Sequence, residues 1–332
     1  MLKLLEEGGV KFYSFVGVPS KKMPVFFNPA KEFDRSLSLE IAKLLGVKSF
    51  LDLLAGSGIR AIRFAKEGIS VVMNDANPQA YKLMQKNCKL NGVEAKIYNE
   101  DANKLCCSIS EKFDMVDVDP FGSPMKFMFN AIRCVKFGGI LSVTATDTGT
   151  LCGRYARRCY LRYFARVRLT PFMHELGIRV LAYAVIREGL IRNVYLRPIF
   201  AHATRHYYRV YFKKEKIRKP ELGSIDDEKL EVGEIWEFYN TPLYIGNLWD
   251  EALASKLRFG KFSEIIKEEA RIGVPYHVNL SWLASKLKIS EPKRDKVIET
   301  LREAGFKASR THFNGKGIRT DAPLEELKKL LR

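Results

Sequence analysis

The stretch Asp117-Val118-Asp119-Pro120-Phe121-Gly122-Ser123-Pro124 places two carboxylates, a proline, an aromatic ring and a glycine directly after an apolar run. The run at 113–118 predicts a short buried strand, and Pro120 cannot extend a sheet, so Asp119 is expected at the strand's carboxyl end. Open α/β sheets bind ligands at this edge. A carboxylate beside the Pro120 carbonyl and the flat ring of Phe121 suits a planar base with an exocyclic amine. The alternative is an ordinary turn with Phe121 in the core.

A second strand-to-helix turn precedes this one in the chain, between a predicted strand at 47–54 and a predicted helix at 59–66. The connecting loop, Ala55-Gly56-Ser57-Gly58, contains only small residues. Backbone N–H groups in such a loop, including that of Gly56, can approach a nucleotide at the N-terminus of the helix. Leu54 stands where the usual pattern has its first glycine, so the loop alone is weak evidence.

Two further acids follow predicted strands. The strand at 69–73 leads to Asp75, which lies 17 residues beyond Gly58 and is placed to accept hydrogen bonds from both hydroxyls of a ribose. A dinucleotide and S-adenosylmethionine fit this spacing equally well. The strand at 95–98 leads to Asp101, which could accept from an adenine amine with the Ala102 N–H completing the base edge, or could cap the next helix.

Strands and helices alternate throughout residues 47–145, which predicts an α/β fold with a doubly wound sheet. Helices are expected at 78–90 and 125–135, and a fifth strand at 140–145. The helix at 78–90 begins with a proline and stops at Asn91-Gly92, which are typical opening and closing residues.

The net charge of +18 is concentrated in one segment: residues 151–219 hold 17 lysines and arginines against three acids. Four arginines recur there at every fourth residue, which predicts one basic face of a helix within 151–168. Such a face usually meets a polyanion, and nucleic acid is the natural partner. The alternative is a solvated face. The four residues are Arg154, Arg158, Arg162 and Arg166.

The N-terminal region contains many aromatic residues. Residues 1–30 predict an irregular lid, because Pro24 and Pro29 disfavour a regular helix or a central strand there. A helix is predicted at 33–45, with Arg35 on a different face from the apolar stripe. Arg35 could reach a ligand or could be an ordinary surface arginine.

The C-terminal region has a different pattern. The charged stretch at 213–237 predicts an excursion or linker, and helices at 279–287 and 294–304 followed by a strand at 306–313 are typical of a winged helix. We therefore expect two domains, 1–248 and 249–332.

The composition also bears on compartment and metal binding. No apolar run approaches the roughly 18 residues that span a membrane. The first residues carry acids where a secretory signal would stay apolar, so we expect a cytoplasmic protein. The six cysteines show no C-x-x-C spacing, which predicts reduced thiols and no metal.

Taken together, these motifs resemble the archaeal type of tRNA guanine-26 N2,N2-dimethyltransferase over nearly the whole chain. The resemblance implies a class I S-adenosylmethionine-dependent methyltransferase with a Rossmann-like doubly wound sheet and a smaller C-terminal domain. The most specific motifs are Pro24-Val25-Phe26-Phe27-Asn28-Pro29, Gly58-Ile59-Arg60-Ala61-Ile62-Arg63-Phe64, Asp119-Pro120-Phe121-Gly122-Ser123-Pro124, Thr144-Ala145-Thr146-Asp147 with Leu151-Cys152-Gly153, His174-Glu175, and Thr311-His312-Phe313 with Gly317-Ile318.

The resemblance also implies roles for individual residues. Asp119, Pro120 and Phe121 would form the catalytic site for methyl transfer to the exocyclic N2 of guanine 26 in tRNA, giving N2-methyl- and N2,N2-dimethylguanosine. Asp119 would accept the proton, the Pro120 carbonyl would help to orient the amine, and Phe121 would stack on the flipped base. Contacts to S-adenosylmethionine are implied for Arg35, Arg60, Asp75, Asp101 and Ala102.

Two other functions remain open from the residues alone. A DNA or protein amide N-methyltransferase uses a similar acidic or amide residue, proline and aromatic residue, but the basic segment favours RNA. A non-catalytic winged-helix nucleic-acid-binding protein would not need the acids at the strand ends. We expect tRNA as the partner, no DNA, no membrane and a monomer.

Overall fold

The computed structural model describes residues 1–17, 23–204, 206–217, 222–225 and 241–331. The chain forms two compact units. The first comprises Met1–Thr144 with Phe212–Lys216, and the second comprises Ala145–Tyr211 with Ile217–Arg332. The boundary predicted at residue 249 stays a prediction.

Strands and helices alternate along most of the first unit. Its elements are β1 (Leu2–Glu7), β2 (Val10–Phe15), a one-turn 3-10 helix (Pro29–Lys31), α1 (Glu32–Leu44), β3 (Ser49–Asp52), α2 (Ile59–Lys66), β4 (Ser70–Asn74), α3 (Pro78–Asn91), β5 (Lys96–Tyr98), α4 (Ala102–Ser108), β6 (Phe113–Val118), α5 (Met125–Cys134) and β7 (Val135–Ala145).

The main sheet of this unit has the order β5-β4-β3-β6-β7, and all four neighbouring pairs are parallel. Asp52, the last residue of β3, pairs in register with Met73 of β4 and Asp117 of β6. The carboxyl ends of these three strands therefore meet at one edge. The predicted doubly wound sheet is confirmed, and the strand-end acids lie where such sheets bind ligands.

Local sequence explains the ends of the helices. In α3, the Asn77 side chain accepts from the Gln79 N–H at the first turn, and Pro78 occupies a position that needs no donor. Gly92 ends α3 in the left-handed conformation.

The prediction that the N-terminal lid has an irregular conformation is wrong for residues 1–15. They form an antiparallel hairpin in which Leu2 pairs with Phe15 and Glu7 pairs with Val10. Gly8 and Gly9 form the turn at φ +54° and +75°, the conformation that a two-residue hairpin requires. Part of the predicted lid, at 18–22, lies outside the described residues.

The second unit holds the remaining elements. They are α6 (Thr148–Leu151), α7 (Ala156–Tyr163), α8 (Met173–Leu190), β8 (Val194–Ala203), β9 (Tyr208–Lys216, whose last five residues belong to the first unit), β10 (Leu222–Ile225), β11 (Thr241–Tyr244), α9 (Glu251–Lys256), α10 (Gly260–Ile272), β12 (Val278–Asn279), α11 (Leu280–Leu287), α12 (Arg294–Glu303), β13 (Ala308–Arg310), β14 (Gly317–Thr320) and α13 (Leu324–Leu331).

The C-terminal part of this unit has its own small sheet, in the order β12-β14-β13 with antiparallel pairs. Helices α11 and α12 supply Leu283 and Leu301 to a core that also contains Ile318 and Leu327. This arrangement agrees with the predicted winged-helix order, although the predicted strand at 306–313 is shortened to β13. Of the predicted linker at 213–237, the parts 218–221 and 226–237 lie outside the described residues.

The helix predicted within 151–168 is much shorter in the structure. Only Ala156–Tyr163 is helical, so Arg154 precedes the helix and Arg166 follows it. Phe164 ends the helix at φ +58°, in the left-handed region. The prediction that four arginines share one helical face is therefore wrong, because only Arg158 and Arg162 of these four lie on α7.

Among the described residues, no helix combines the length and the apolar character that crossing a membrane requires.

Candidate active site

Arg60 of α2 lies at the centre of a buried charged cluster at the carboxyl edge of the sheet. Its Nη2 lies 2.6 Å from Asp34 Oδ2 and 3.1 Å from Asp119 Oδ2, and its Nε lies 3.1 Å from Asp117 Oδ2. Its Nη1 also donates to Ser38 Oγ at 2.8 Å. One guanidinium thus binds three carboxylates and a hydroxyl, which uses the planar fork of arginine as a fixed anchor.

Asp119 has a second cationic partner in Lys31. Lys31 Nζ forms an ion pair with Asp119 Oδ1, and the two side chains are only 9% and 14% exposed. Lys31 ends the one-turn 3-10 helix, whose start is capped by Asn28 accepting from the Ala30 N–H at 3.0 Å. Sequence reasoning missed Lys31. It lies 88 residues before Asp119 in the chain, and no local pattern distinguishes it from an ordinary surface lysine.

A fourth carboxyl group, that of Asp52, is buried next to Asp117 of this cluster. Burial, and then the neighbouring Asp117 carboxylate, raise the pKa of Asp52 to about 8. Asp117 in turn accepts a hydrogen bond from the Ser142 hydroxyl of β7. Asp52 therefore retains its proton at neutral pH and adds no negative charge to the cluster.

The predicted nucleotide loop has the backbone of a ligand cradle. Gly56 and Gly58 have φ values of +58° and +77°. A Cβ on Gly58 would lie 3.0 Å from Met73 Sδ, and one on Gly56 would lie 3.3 Å from the Phe26 carbonyl oxygen. Both positions therefore favour glycine through conformation and space.

Asp75 organises this loop from the end of β4. Its two carboxylate oxygens accept from the Gly56 N–H and from the Asn77 N–H, each at 2.9 Å. Burial raises the pKa of Asp75 above its usual value, although these two backbone donors oppose the shift. The carboxylate thus lies beside the glycine turn, as the spacing predicts for a ribose-binding acid.

Asp101 lies at the predicted strand end and caps α4. Its Oδ1 accepts from the N–H groups of Asn103 and Lys104 at 2.9 and 3.2 Å. The helix-capping interpretation is confirmed, while a contact from Asp101 or Ala102 to adenine stays a prediction. Ala102, the first residue of α4, is buried and Asp101 is exposed.

Arg35 does not project freely from α1. It is buried, and its Nε and Nη2 form a two-point ion pair with Glu7 of β1. Arg63 Nη1 binds the same carboxylate at 2.7 Å. Burial raises the pKa of Glu7, but Arg35 and Arg63 together hold it below its usual range. Arg35 is therefore neither an ordinary surface arginine nor a side chain that is free to reach a ligand.

An exposed aromatic ring lies next to Asp119. Phe121 is 42% exposed, so the interpretation of Phe121 as a core residue is wrong. Phe26 packs against it edge to face, with ring centroids 4.4 Å apart. Pro120, which lies between Asp119 and Phe121 in sequence, is buried, and Gly122 turns the chain at φ +76°. The turn therefore presents a carboxylate and a flat ring together.

The basic segment of the second unit carries exposed rings as well as charges. Arg158 and Arg166 lie over the rings of Tyr155 and Tyr160, each 5.1 Å from the ring centroid. Arg162 is already paired with Asp147 at 2.8 Å.

The aromatic residues of this segment differ in orientation. Tyr163 points inward and its hydroxyl donates to Asp147 at 2.7 Å. Tyr160 and Phe164 are 45% and 51% exposed. Each of these two exposed rings lies beside an arginine, with Arg166 5.1 Å from the Tyr160 centroid and Arg187 4.0 Å from the Phe164 centroid. Surfaces of arginines and exposed rings stack on bases.

Comparisons with known proteins agree with this geometry. The chain matches the family model for N2,N2-dimethylguanosine tRNA methyltransferase over residues 9–225 and 218–332. The tRNA (guanine(26)-N(2))-dimethyltransferase of Pyrobaculum islandicum is 35% identical, with 99% of both chains covered. That of Methanocaldococcus jannaschii is 37% identical, with 98% of this chain and 97% of the relative covered. The complex of Trm1 from Pyrococcus horikoshii with S-adenosyl-L-methionine has a TM-score of 0.87 at 32% identity, with 100% of both chains covered.

Proposed function

This chain belongs to the family of N2,N2-dimethylguanosine tRNA methyltransferases, and on that premise we propose that it methylates the exocyclic N2 of guanine 26 in tRNA, giving N2-methyl- and N2,N2-dimethylguanosine. The observation that carries the proposal is Asp119 beside the exposed ring of Phe121, at the same sheet edge as the glycine turn held by Asp75. The fold is that of a class I methyltransferase.

The residues around the glycine turn fit S-adenosylmethionine as the cofactor. This cofactor supplies an activated methyl group on a sulfonium. Gly56 and Gly58 have left-handed φ values and form a turn without side chains at the N-terminus of α2, where backbone N–H groups can meet a ligand. Asp75 offers carboxylate oxygens for ribose hydroxyls, and Asp101 with the Ala102 N–H would meet the adenine edge.

We assign Arg60 and Arg35 different parts in the same site. The Arg60 guanidinium holds Asp119, Asp117 and Asp34 in place. We propose that the same guanidinium also contacts the cofactor. Arg35 is held by Glu7, and its contact with the cofactor requires that it keep or exchange this ion pair.

Asp119, Pro120 and Phe121 together would orient the acceptor amine. The lone pair of guanine N2 is delocalised into the ring, so methylation requires the amine to pyramidalise and lose a proton. The Asp119 carboxylate accepts one N–H group and its proton, the Pro120 carbonyl accepts the other, and Phe121 stacks on the flipped base. N2 retains one proton after the first transfer, so a second transfer can use the same acceptor once Asp119 has released the first proton to solvent.

The basic segment supports a tRNA-binding surface on the second unit. Arg154, Arg158, Arg162 and Arg166 are exposed. Arginines beside exposed rings combine phosphate contacts with stacking platforms, a combination that binds unpaired RNA. We assign these four residues to the RNA contact.

We further propose a cytoplasmic, metal-free monomer with a methyltransferase domain at 1–248 and a winged-helix-like domain at 249–332, and no DNA substrate.

Nucleoside analysis of methylated RNA tests this function. Incubation of the protein with S-adenosylmethionine and a tRNA transcript should yield N2-methyl- and N2,N2-dimethylguanosine by mass spectrometry. A transcript with adenosine at position 26 should remain unmodified, as should duplex DNA and a glutamine-containing peptide. Methylation that persists on the position-26 variant would assign a different base.

The matched variant Asp119→Asn tests the site. The amide keeps the shape of the side chain but cannot accept the proton, so methylation should fall by at least about a hundredfold. Calorimetric titration with S-adenosylmethionine should give nearly unchanged affinity, because the proposal assigns Asp119 to the base. Near-normal turnover would remove Asp119 from the role of proton acceptor.

A further inference from the structure

Both oxygens of the proposed catalytic carboxylate already have cationic partners. Asp119 Oδ2 lies 3.1 Å from Arg60 Nη2, and Asp119 Oδ1 is paired with Lys31 Nζ. An ammonium and an exocyclic amine are both N–H donors, and they compete for the same carboxylate lone pairs. Each carboxylate oxygen has two lone pairs, so a guanine amine that takes the lone pair of Asp119 Oδ1 now used by Lys31 must displace this ammonium.

We propose that Lys31 is a displaceable placeholder for the guanine amine: its ammonium holds Asp119 in the base-free enzyme and must leave Oδ1 when the base enters. The inference rests on the proposed function and deepens it. Lys31 acts through Asp119, so it is a positioning residue that sets how readily the base docks.

The two cations differ in the stiffness of the side chain that carries the charge. Arg60 binds Asp119 while also binding Asp34, Asp117 and Ser38, which lie on other elements. Its planar fork cannot leave one partner without disturbing the others. The Lys31 ammonium stands on a four-carbon stem with rotatable bonds, at the end of a single 3-10 turn. Lys31 is therefore the partner that yields.

The charges explain why a placeholder is needed. Asp34 and Asp117 are fully buried, and Asp119 is 14% exposed. With Asp52 protonated, these three carboxylates face the charges of Arg60 and Lys31. Loss of Lys31 would leave Arg60 as the single cation of this set against three carboxylates, which is strongly unfavourable. Lys31 thus stabilises the charge of Asp119 in the base-free enzyme. The free energy needed to break this ion pair reduces the net free energy of base docking.

Two substitutions at this position should act in opposite directions. Lys31→Met removes the competing donor, so base docking should become tighter by about fivefold. Lys31→Arg replaces a point charge with a two-point fork that grips a carboxylate more firmly, so docking should weaken by a similar factor. A purely structural cation predicts the reverse order, with arginine restoring what methionine loses.

Base docking can be measured with a tRNA transcript that carries 2-aminopurine at position 26, because this base has an exocyclic 2-amino group and becomes fluorescent when it leaves the stack. The half-saturating protein concentration is compared among wild type, Lys31→Met and Lys31→Arg in the presence of S-adenosylmethionine. Lys43→Met is the control, since Lys43 forms an exposed ion pair with Glu67 at the far end of α1. It should match wild type.

The outcomes separate the inference from the function. Opposite shifts for methionine and arginine support the placeholder. Equal half-saturation in all proteins, or weakening by methionine with recovery by arginine, overturns it. Thermal melting and calorimetric titration with S-adenosylmethionine establish that each variant is folded, and Lys31→Leu, which also carries no donor, replaces Lys31→Met if the latter does not fold. If wild type leaves guanine 26 unmethylated, the proposed function fails first, whatever the variants do.

Discussion

At the scale of single residues, Asp75 has two tasks that one substitution can expose. It holds the glycine turn through the Gly56 N–H, and it would accept hydrogen bonds from the ribose hydroxyls of the cofactor. Charge-assisted hydrogen bonds contribute roughly 1.5–3 kcal/mol each. Asp75→Ala should therefore weaken S-adenosylmethionine binding by at least about tenfold in calorimetric titration. Unchanged affinity would show that the ribose binds elsewhere.

Asp52 supports a prediction about pH. Burial, and then Asp117, raise its pKa to about 8 from an ordinary value of 3.8. A raised carboxyl pKa stabilises the folded state below the unfolded value, and this stabilisation is lost as the pH rises through the folded value. Asp52→Asn keeps the neutral form at every pH. Its gain in Tm over wild type should therefore grow between about pH 5 and about pH 8.

Asp114→Asn is the opposite-sign control for this experiment. Burial raises the pKa of Asp114, but Lys136 and the Lys48 N–H hold it below its ordinary value. Its charged form therefore stabilises the fold at neutral pH, and the amide should lower Tm there. A Tm difference for Asp52→Asn that stays constant with pH would contradict the raised pKa.

Residue roles that depend on strand ends could be predicted, whereas roles that depend on long-range packing could not. Asp75 and Asp119 follow apolar runs, and parallel strands bring such positions to one edge. Lys31 contacts Asp119 across 88 residues of sequence, and Arg35 contacts Glu7 because the N-terminal hairpin places Glu7 beside α1. No period in the sequence encodes those approaches, so only the structure shows them.

At the scale of elements, the basic segment shows the limits of periodicity. Arginines at every fourth residue predict one helical face, yet like charges at that spacing repel and do not sustain a helix by themselves. Gly153, at φ +92°, lies so close to Arg168 that a Cβ there would overlap the Arg168 carbonyl group. This approach, with the left-handed Phe164, folds the segment back after two helical turns. The charges remain exposed even though the helix is short.

The RNA-binding role of this segment can be tested by its salt dependence. Arg154, Arg157 and Arg158 are exposed, whereas Arg162 is already paired with Asp147. Replacement of the three by Gln removes three charges and should lower tRNA affinity. The slope of log K against log salt should become shallower by up to about 0.9 for each phosphate that the protein no longer neutralises. Filter binding across a salt series measures both quantities.

A second triple variant gives the matched comparison. Lys256, Lys261 and Lys286 are also exposed, and they lie within residues 220–332, which contain 19 basic and 19 acidic residues. Their replacement by Gln should leave the salt slope unchanged. If this triple flattens the slope and the arginine triple does not, the RNA surface belongs to the winged-helix part instead.

At the scale of the whole molecule, a buried ionic network explains motif residues that take no part in methyl transfer. Arg319 of β14 is fully buried between two carboxylates, with its Nη2 2.8 Å from Glu175 Oε2 and its Nε 3.0 Å from Glu269 Oε1. His277 Nδ1 lies 3.0 Å from Glu175, and His312 Nδ1 lies 2.6 Å from Glu269. Helices α8 and α10 are thereby joined to the small C-terminal sheet within the second unit.

This network predicts a loss of stability in acid. Burial raises the pKa of both carboxyl groups, but their cationic partners outweigh it. The pKa of Glu175 is held well below its ordinary range, and the pKa of Glu269 falls from 4.5 to about 2. Lowered carboxyl pKa values stabilise the fold above the unfolded value, and this stabilisation is lost as the pH falls through the folded value. The free energy of unfolding should therefore decrease between about pH 5 and about pH 2.

Two adjacent glutamates allow a matched test of this contribution. Glu269→Gln removes the buried charge that binds Arg319 and His312, and should reduce the free energy of unfolding at neutral pH by about 3 kcal/mol. Glu268→Gln makes the same change at an exposed ion pair with Arg302, where less than about 1 kcal/mol is expected. Denaturant unfolding across the pH range measures both. The Glu269→Gln difference should shrink toward about pH 2, because wild type then loses the same charge. Equal effects of the two variants, or a Glu269→Gln difference that does not change with pH, would show that the buried network contributes no more than a surface ion pair.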